Sequence, residues 1–232
     1  MPTVLKAEDR AALAELLPVL RRAARLDERA LVRLRLAATT STVLVRLPFG
    51  VLVSRTVRTA GGDAVSGGDA GSGGDAGSGG AVDVTVRAAE ALAWVDDPAA
   101  APPTARDAEW RAGRPPETGW RRVDSVPDDV VRNLVRQGAS ALAEAAAREG
   151  VPGAQPRAEI ADALLDATVL TVHDESGGYA EITLRALSAL IRMGFLPAGG
   201  QVRVDVAGRW IRVVAGYGTV YLERAGLQLT LR

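Results

Sequence analysis

The sequence predicts an α+β protein. Its antiparallel β-meanders carry helices packed on one face, in two pseudo-symmetric halves that each contain a β-β-α unit. Three observations lead there. Apolar residues recur with period two in several short runs, and with helical spacing in others. The strand-like and helix-like runs come in blocks rather than in strict alternation, which argues against a doubly wound parallel sheet. Finally, the stretch TVLTVHDESGGYAEITLRALSALIRMGFLP (168–197) reads as strand, turn, strand and amphipathic helix, and a disguised copy of it stands earlier in the chain.

Taken in order, residues 7–26 place leucines at 13, 16, 17 and 20 on one helical face, with Pro18 kinking the helix or opening a second one. From Ala30 the period changes to two. Val32, Leu34 and Leu36 alternate with Arg33 and Arg35, then Val43, Val45 and Leu47 follow. After the turn signal Pro48-Phe49-Gly50 comes VLVSRTV (51–57), so three strands form a meander. Residues 61–80 repeat the hexad GGDAxS. A calcium-binding β-roll needs a nine-residue period and a large apolar residue in each repeat, and this run has neither. A disordered loop is the expectation.

Next, Val82, Val84 and Val86 alternate before a helical pattern. VTVRAAEAL (84–92) aligns by eye with ITLRALSAL (182–190), and VLVS (51–54) with VLTV (169–172). On this reading residues 61–80 are a hairpin loop expanded in the first copy, and residues 1–97 form the N-terminal half. The Pro-rich stretch 98–118 reads as a linker, and 119–232 as the C-terminal half. There, Gly119–Asp124 suggests a short strand, and Ser125-Val126-Pro127-Asp128 has the form of a capping box opening a long helix to about Glu149. The small residues Gly138, Ala141 and Ala145 would let another element pack close to it. A further helix covers 157–166. Four strands in a meander end the chain: 202–206, 210–214, TVYLE and LQLTLR.

Composition removes several function classes. There is no cysteine, so disulfides, thiolate nucleophiles and Cys-ligated metal centres are excluded. His173 is the only histidine and stands at a strand end before Asp174-Glu175, in what reads as a solvated turn. The 28 basic and 28 acidic residues balance, which counts against a dedicated nucleic-acid or membrane-surface binder. All the basic residues but Lys6 are arginine, a bias that a GC-rich genome explains as well as phosphate binding does. No run approaches the roughly 18 apolar residues of a membrane span, and the N-terminus has charges where a signal peptide is apolar. The expectation is a soluble cytoplasmic protein.

No catalytic set emerges, and no metal site or cofactor is implied. Glu159, Asp162 and Asp166 share a helix face that could hold a divalent cation, although such spacing more often marks a solvated face. There is no Walker pattern and no G-x-G-x-x-G between strand and helix. Tryptophan and arginine dominate interface hot spots. In a chain with 4% aromatics, Trp120, Arg121, Arg122, Trp210 and Arg212 are therefore the candidate partner-binding residues. Core or edge packing competes as the role of the tryptophans, Trp110 included. The stretch GWRRVDSVPDDVVRNLVRQGASAL (119–142) resembles uncharacterised conserved proteins of high-GC Gram-positive bacteria. That resemblance covers this stretch alone, and it implies a bacterial cytoplasmic protein without a known activity.

The leading expectation is a non-enzymatic protein-interaction or adaptor module, binding a protein partner or a second copy of itself through its sheets. One alternative is a small-molecule or metal-dependent enzyme using carboxylates and arginines. Another is DNA binding by residues 185–214, where a helix and a hairpin resemble a recognition helix and wing. The strand at Ala180–Leu184 weighs against the last, because it occupies the place of the preceding helix.

Overall fold

A computed structural model of the protein describes residues 5–6, 9–58, 82–148, 154–175 and 177–224. The chain forms two compact units, Met1–Gly119 and Trp120–Arg232. The run at 61–80, read as a disordered loop, and the strand expected at LQLTLR lie outside the described residues.

In the first unit, helices α1 (Asp9–Ala14) and α2 (Leu17–Leu26) precede strands β1 (Leu31–Leu36), β2 (Thr40–Arg46) and β3 (Leu52–Arg58). Pro18 stands in the first turn of α2, where its missing N–H costs nothing, so the leucine pattern resolves into two helices. The meander turns between β2 and β3 at Gly50 (φ 82°), with the Leu47 carbonyl accepting from Gly50 N–H at 2.9 Å. A left-handed backbone at that point favours glycine.

Strand β4 (Val82–Arg87) then lies beside β1 rather than β3, giving the order β4-β1-β2-β3. This is a Greek key: three meander strands, and a fourth that returns to flank the first. The hairpin expected between the strands at 51–57 and 82–86 does not exist. Similar local sequences had suggested one, but pairing is decided by the register of whole apolar rows. Val86, Val32, Val45 and Val53 stand opposite one another across all four strands, and all are buried. Helix α3 (Ala88–Asp96) follows β4 directly and buries Ala91 and Trp94.

The Pro-rich stretch 98–118 is held against the first unit. Arg106 N–H donates to the Thr85 carbonyl at 2.7 Å, and Thr85 N–H donates to Asp107 Oδ1 at 2.8 Å. β4 is thereby bonded on the side away from β1, and an edge that would otherwise invite another strand is blunted.

The second unit repeats the arrangement with the chain order changed. β5 (Arg121–Pro127) comes first, then α4 (Asp128–Arg148), α5 (Ala154–Asp166), the two-stranded sheet β6 (Thr168–His173) and β7 (Tyr179–Thr183), and α6 (Leu184–Arg192). β8 (Gln201–Ala207), β9 (Trp210–Ala215) and β10 (Gly218–Glu223) complete it, in the order β10-β9-β8-β5. A three-strand meander again has a fourth strand beside its first member. The expected capping box is absent, because Ser125, Val126 and Pro127 pair with Arg203, Val202 and Gln201 as the end of β5. Cross-strand pairing outweighs a local cap here, and Pro127 is tolerated because β5 is the last strand of the order.

α6 buries Leu184, Ala186, Leu187, Ser188, Ala189 and Leu190. It stops at Gly194 (φ 64°) in a Schellman arrangement, with Phe195 N–H donating to the Leu190 carbonyl at 2.8 Å. Each fully buried leucine contributes about 1.5–3 kcal/mol. With most of its residues buried, α6 offers little surface to a DNA groove, which counts against the recognition-helix-and-wing reading of 185–214.

Candidate protein-docking face

Strand alternation sorts the residues of β8, β9 and β10 into two faces. Val204, Val213 and Val220 stand opposite one another on the inner face and are fully buried. The other face carries Tyr221, Arg212, Asp205 and Arg122, in register across all four strands.

Asp205 is the centre of this row. Its side chain is 3% exposed, and Oδ2 accepts from Arg212 Nε at 2.6 Å and from Arg203 Nε at 3.1 Å. Asp205 Oδ1 accepts no hydrogen bond from a described residue. A carboxylate so nearly removed from water costs free energy unless its oxygens are paired and hydrogen-bonded. The sequence RVD places Arg203 and Asp205 two residues apart on one face, and the β8–β9 register sets Arg212 directly opposite Asp205.

Trp120 lies over this centre. The Arg212 guanidinium carbon is 4.5 Å from the Trp120 ring centroid, a cation–π distance. The Trp120 and Tyr221 rings are 6.0 Å apart, and Trp210 meets Tyr221 edge-on at 6.4 Å. Arg209 stands 5.9 Å from the Trp210 ring. Trp120 directly follows Gly119 (φ 78°), whose left-handed backbone turns the chain into β5.

Of the five residues singled out in the sequence, Trp120, Trp210 and Arg212 meet in this cluster through Tyr221. Arg122 extends the row at the edge strand and donates to Ser125 Oγ at 2.6 Å. Arg121 points elsewhere and forms an ion pair with Asp174 in the β6–β7 turn. Asp174 Oδ1 also accepts from Gly178 N–H at 2.8 Å, so Arg121 braces that turn. Sequence reasoning passed over Asp205, Tyr221 and Arg203. The signal for them was present, since period-two alternation places all three on the face of Arg212.

The remaining candidates resolve as follows. Asp162 and Asp166 hold Arg185, whose guanidinium is pushed above the ordinary arginine range, mainly by its hydrogen bond to Asp166. These two carboxylates are thus engaged with a cation of the chain itself. His173 is exposed at the end of β6, beside Tyr179. Trp110 belongs to the first unit, after a 3-10 turn at Asp107–Glu109. Among the described residues, no helix is long and apolar enough to cross a membrane.

Comparison with solved structures places the fold. The chain is similar to the DNA polymerase III subunit beta from Pseudomonas aeruginosa, with a TM-score of 0.55 and 12% identity over 95% of this chain and 64% of that one. The DNA polymerase sliding clamp from Bacillus subtilis gives a TM-score of 0.55 at 10% identity over 93% of this chain and 64% of that one. The DNA polymerase III beta subunit from Thermotoga maritima gives 0.51 at 9%, over 92% of this chain and 62% of that one. The chain thus spans under two thirds of the length of these proteins, and the similarity is one of fold. No curated protein sequence matches it. Residues 1–112 match the family model described as Domain of unknown function (DUF8010), and residues 115–227 match that described as Domain of unknown function (DUF8185).

Proposed function

We propose that the chain is a non-enzymatic protein-interaction module, and that the outer face of the β10-β9-β8-β5 sheet docks an acidic segment of a partner protein. The observation that carries this reading is the Trp120–Arg212–Asp205 stack. Asp205 orients the Arg212 guanidinium from below and Trp120 supports it from one side. Arg122 extends the positive edge into solvent, and Arg209 flanks Trp210 while pairing with Glu223 at 3.7 Å. Guanidinium forks on rigid aromatic supports suit carboxylates, because little side-chain freedom remains to be lost on binding. The fold supports the same direction: its structural neighbours are named as subunits or clamps of a DNA polymerase, parts of an assembly. A nucleic-acid partner is disfavoured, since the α-helices among the described residues carry arginines and carboxylates in near-equal number.

Random-peptide display tests this reading directly. The wild-type chain is expected to enrich acidic sequences bearing an apolar or aromatic residue. Arg122→Gln/Arg209→Gln, which removes two exposed charges without setting a carboxylate opposite Asp205 or beside Glu223, is expected to lose them while still unfolding in one cooperative transition. Enrichment of basic peptides, no enrichment, or an identical set from the variant overturns the proposal.

A further inference from the structure

A second feature of the C-terminal unit borders the docking face, with which it shares the Arg209–Glu223 pair. Between the β6–β7 hairpin and the ends of β9 and β10 lies a cleft of about 380 Å³, within the size range of ligand pockets. Its floor is apolar: Ile211 and Leu222 belong to the inner row of the main sheet, and here Leu222 is only half-buried. Tyr179 rises on one wall with 53% of its surface exposed.

The polar groups divide unevenly. Glu181 comes from the hairpin and Glu223 from the sheet, against Arg224 alone. Arg224 donates to the Tyr179 carbonyl at 2.7 Å and so ties the hairpin to the end of β10. Glu223 meets Arg209 at 3.7 Å in an exposed pair of the kind that contributes little and is readily exchanged. Glu181 is exposed and makes no ion pair with a described residue. Thr168 and Thr183, opposite one another in the hairpin register, add two hydroxyls.

We infer that this cleft binds an arginine side chain of a partner peptide, with the apolar floor receiving the residue before it. Two carboxylates and two hydroxyls match the five donors of a guanidinium, whereas an ammonium offers three. The open face of Tyr179 provides a stacking surface that favours the planar cation. The lining has a carboxylate excess, so an acidic group would be repelled. The cleft thus selects the opposite charge to the docking face, and one partner segment can satisfy both only by carrying both signs.

The test is an NMR titration of the ¹⁵N-labelled full chain with acetyl-Leu-Leu-Arg-amide, with acetyl-Leu-Leu-Glu-amide as control. Saturable amide shifts are expected at Tyr179, Glu181 and Leu222 with the arginine peptide alone. Glu181→Gln, an exposed substitution that keeps the fold, is expected to weaken binding about tenfold or more, the effect of one charge-assisted hydrogen bond. Equal response to both peptides, no saturable shift at millimolar peptide, or unchanged binding by Glu181→Gln overturns the assignment. Shifts confined to Trp120 and Arg212 place the peptide on the docking face and overturn it too.

Discussion

Replacing Asp205 by asparagine isolates the electrostatic centre of the docking face. The substitution preserves volume and one acceptor oxygen but removes the charge that holds Arg203 and Arg212. Two charge-assisted hydrogen bonds, at 2.6 and 3.1 Å, become ordinary ones or are lost. Each such bond contributes about 1.5–3 kcal/mol. The full sum is not expected, because the arginine side chains are 21% and 30% exposed and partly rehydrate when released. A net loss of about 2 kcal/mol follows. This is below the 3–5 kcal/mol typical of breaking a fully buried pair. In a thermal melt followed by circular dichroism, the transition of the C-terminal unit should fall by about 5–10 °C. A double-mutant cycle with Arg212→Gln should return a coupling of about 1–2 kcal/mol, since the second substitution then finds its partner already gone. A stability loss under about 0.5 kcal/mol, or a coupling near zero, would show that the pair is merely adjacent. The stack would then no longer be an oriented site.

Three further substitutions test the packing. In Gly218→Ala the new Cβ would stand 2.6 Å from three carbons of the fully buried Phe195 ring, so a loss of about 1–3 kcal/mol is expected, read as a lower urea midpoint at unchanged m. Gly138→Ala should gain up to about 1 kcal/mol of helix propensity. Its Cβ nevertheless falls 2.4 Å from Leu184 Cδ2, a buried side chain between α4 and α6, so a net loss of about 1 kcal/mol is expected in the same assay. Asp107→Ala removes the acceptor of Thr85 N–H along β4. Hydrogen exchange at Thr85 should then accelerate about tenfold or more, while exchange in the C-terminal unit is unchanged.

What was legible in the sequence was periodicity. Pro18 separated two helices, the 31–57 meander followed its alternating valines and leucines, and the small residue at 138 marked a close approach, now seen against Leu184. Strand partnership was not legible. VTVRAAEAL and ITLRALSAL are alike because a strand feeding straight into a helix demands similar residues at its junction. That junction does not specify which strand lies alongside: β7 pairs with its neighbour β6, whereas β4 passes over the meander to β1. The capping-box reading of 125–128 failed for the same reason, since a partner strand some 75 residues away supplied the competing bonds.

The candidate face follows the same rule. Trp120, Trp210 and Arg212 were conspicuous as residue types, yet the group that organises them, Asp205, looks in sequence like one acid in an alternating strand. Its meaning depends on register. Shift β8 against β9 by one residue, and Asp205 turns to the valine face while Arg212 loses its partner. The apolar row Val204–Val213–Val220 holds that register because a slip would expose it to water. The hydrophobic face thus does more than stabilise the unit: it sets, within a fraction of a residue spacing, where the guanidinium of Arg212 stands under Trp120. A Val213→Thr substitution, which puts a hydroxyl into the buried row, should therefore change the emission of Trp120 as well as stability. If stability alone changes, with the Trp120 signal of the folded protein intact, the face is held by its own polar contacts and not by the core beneath it.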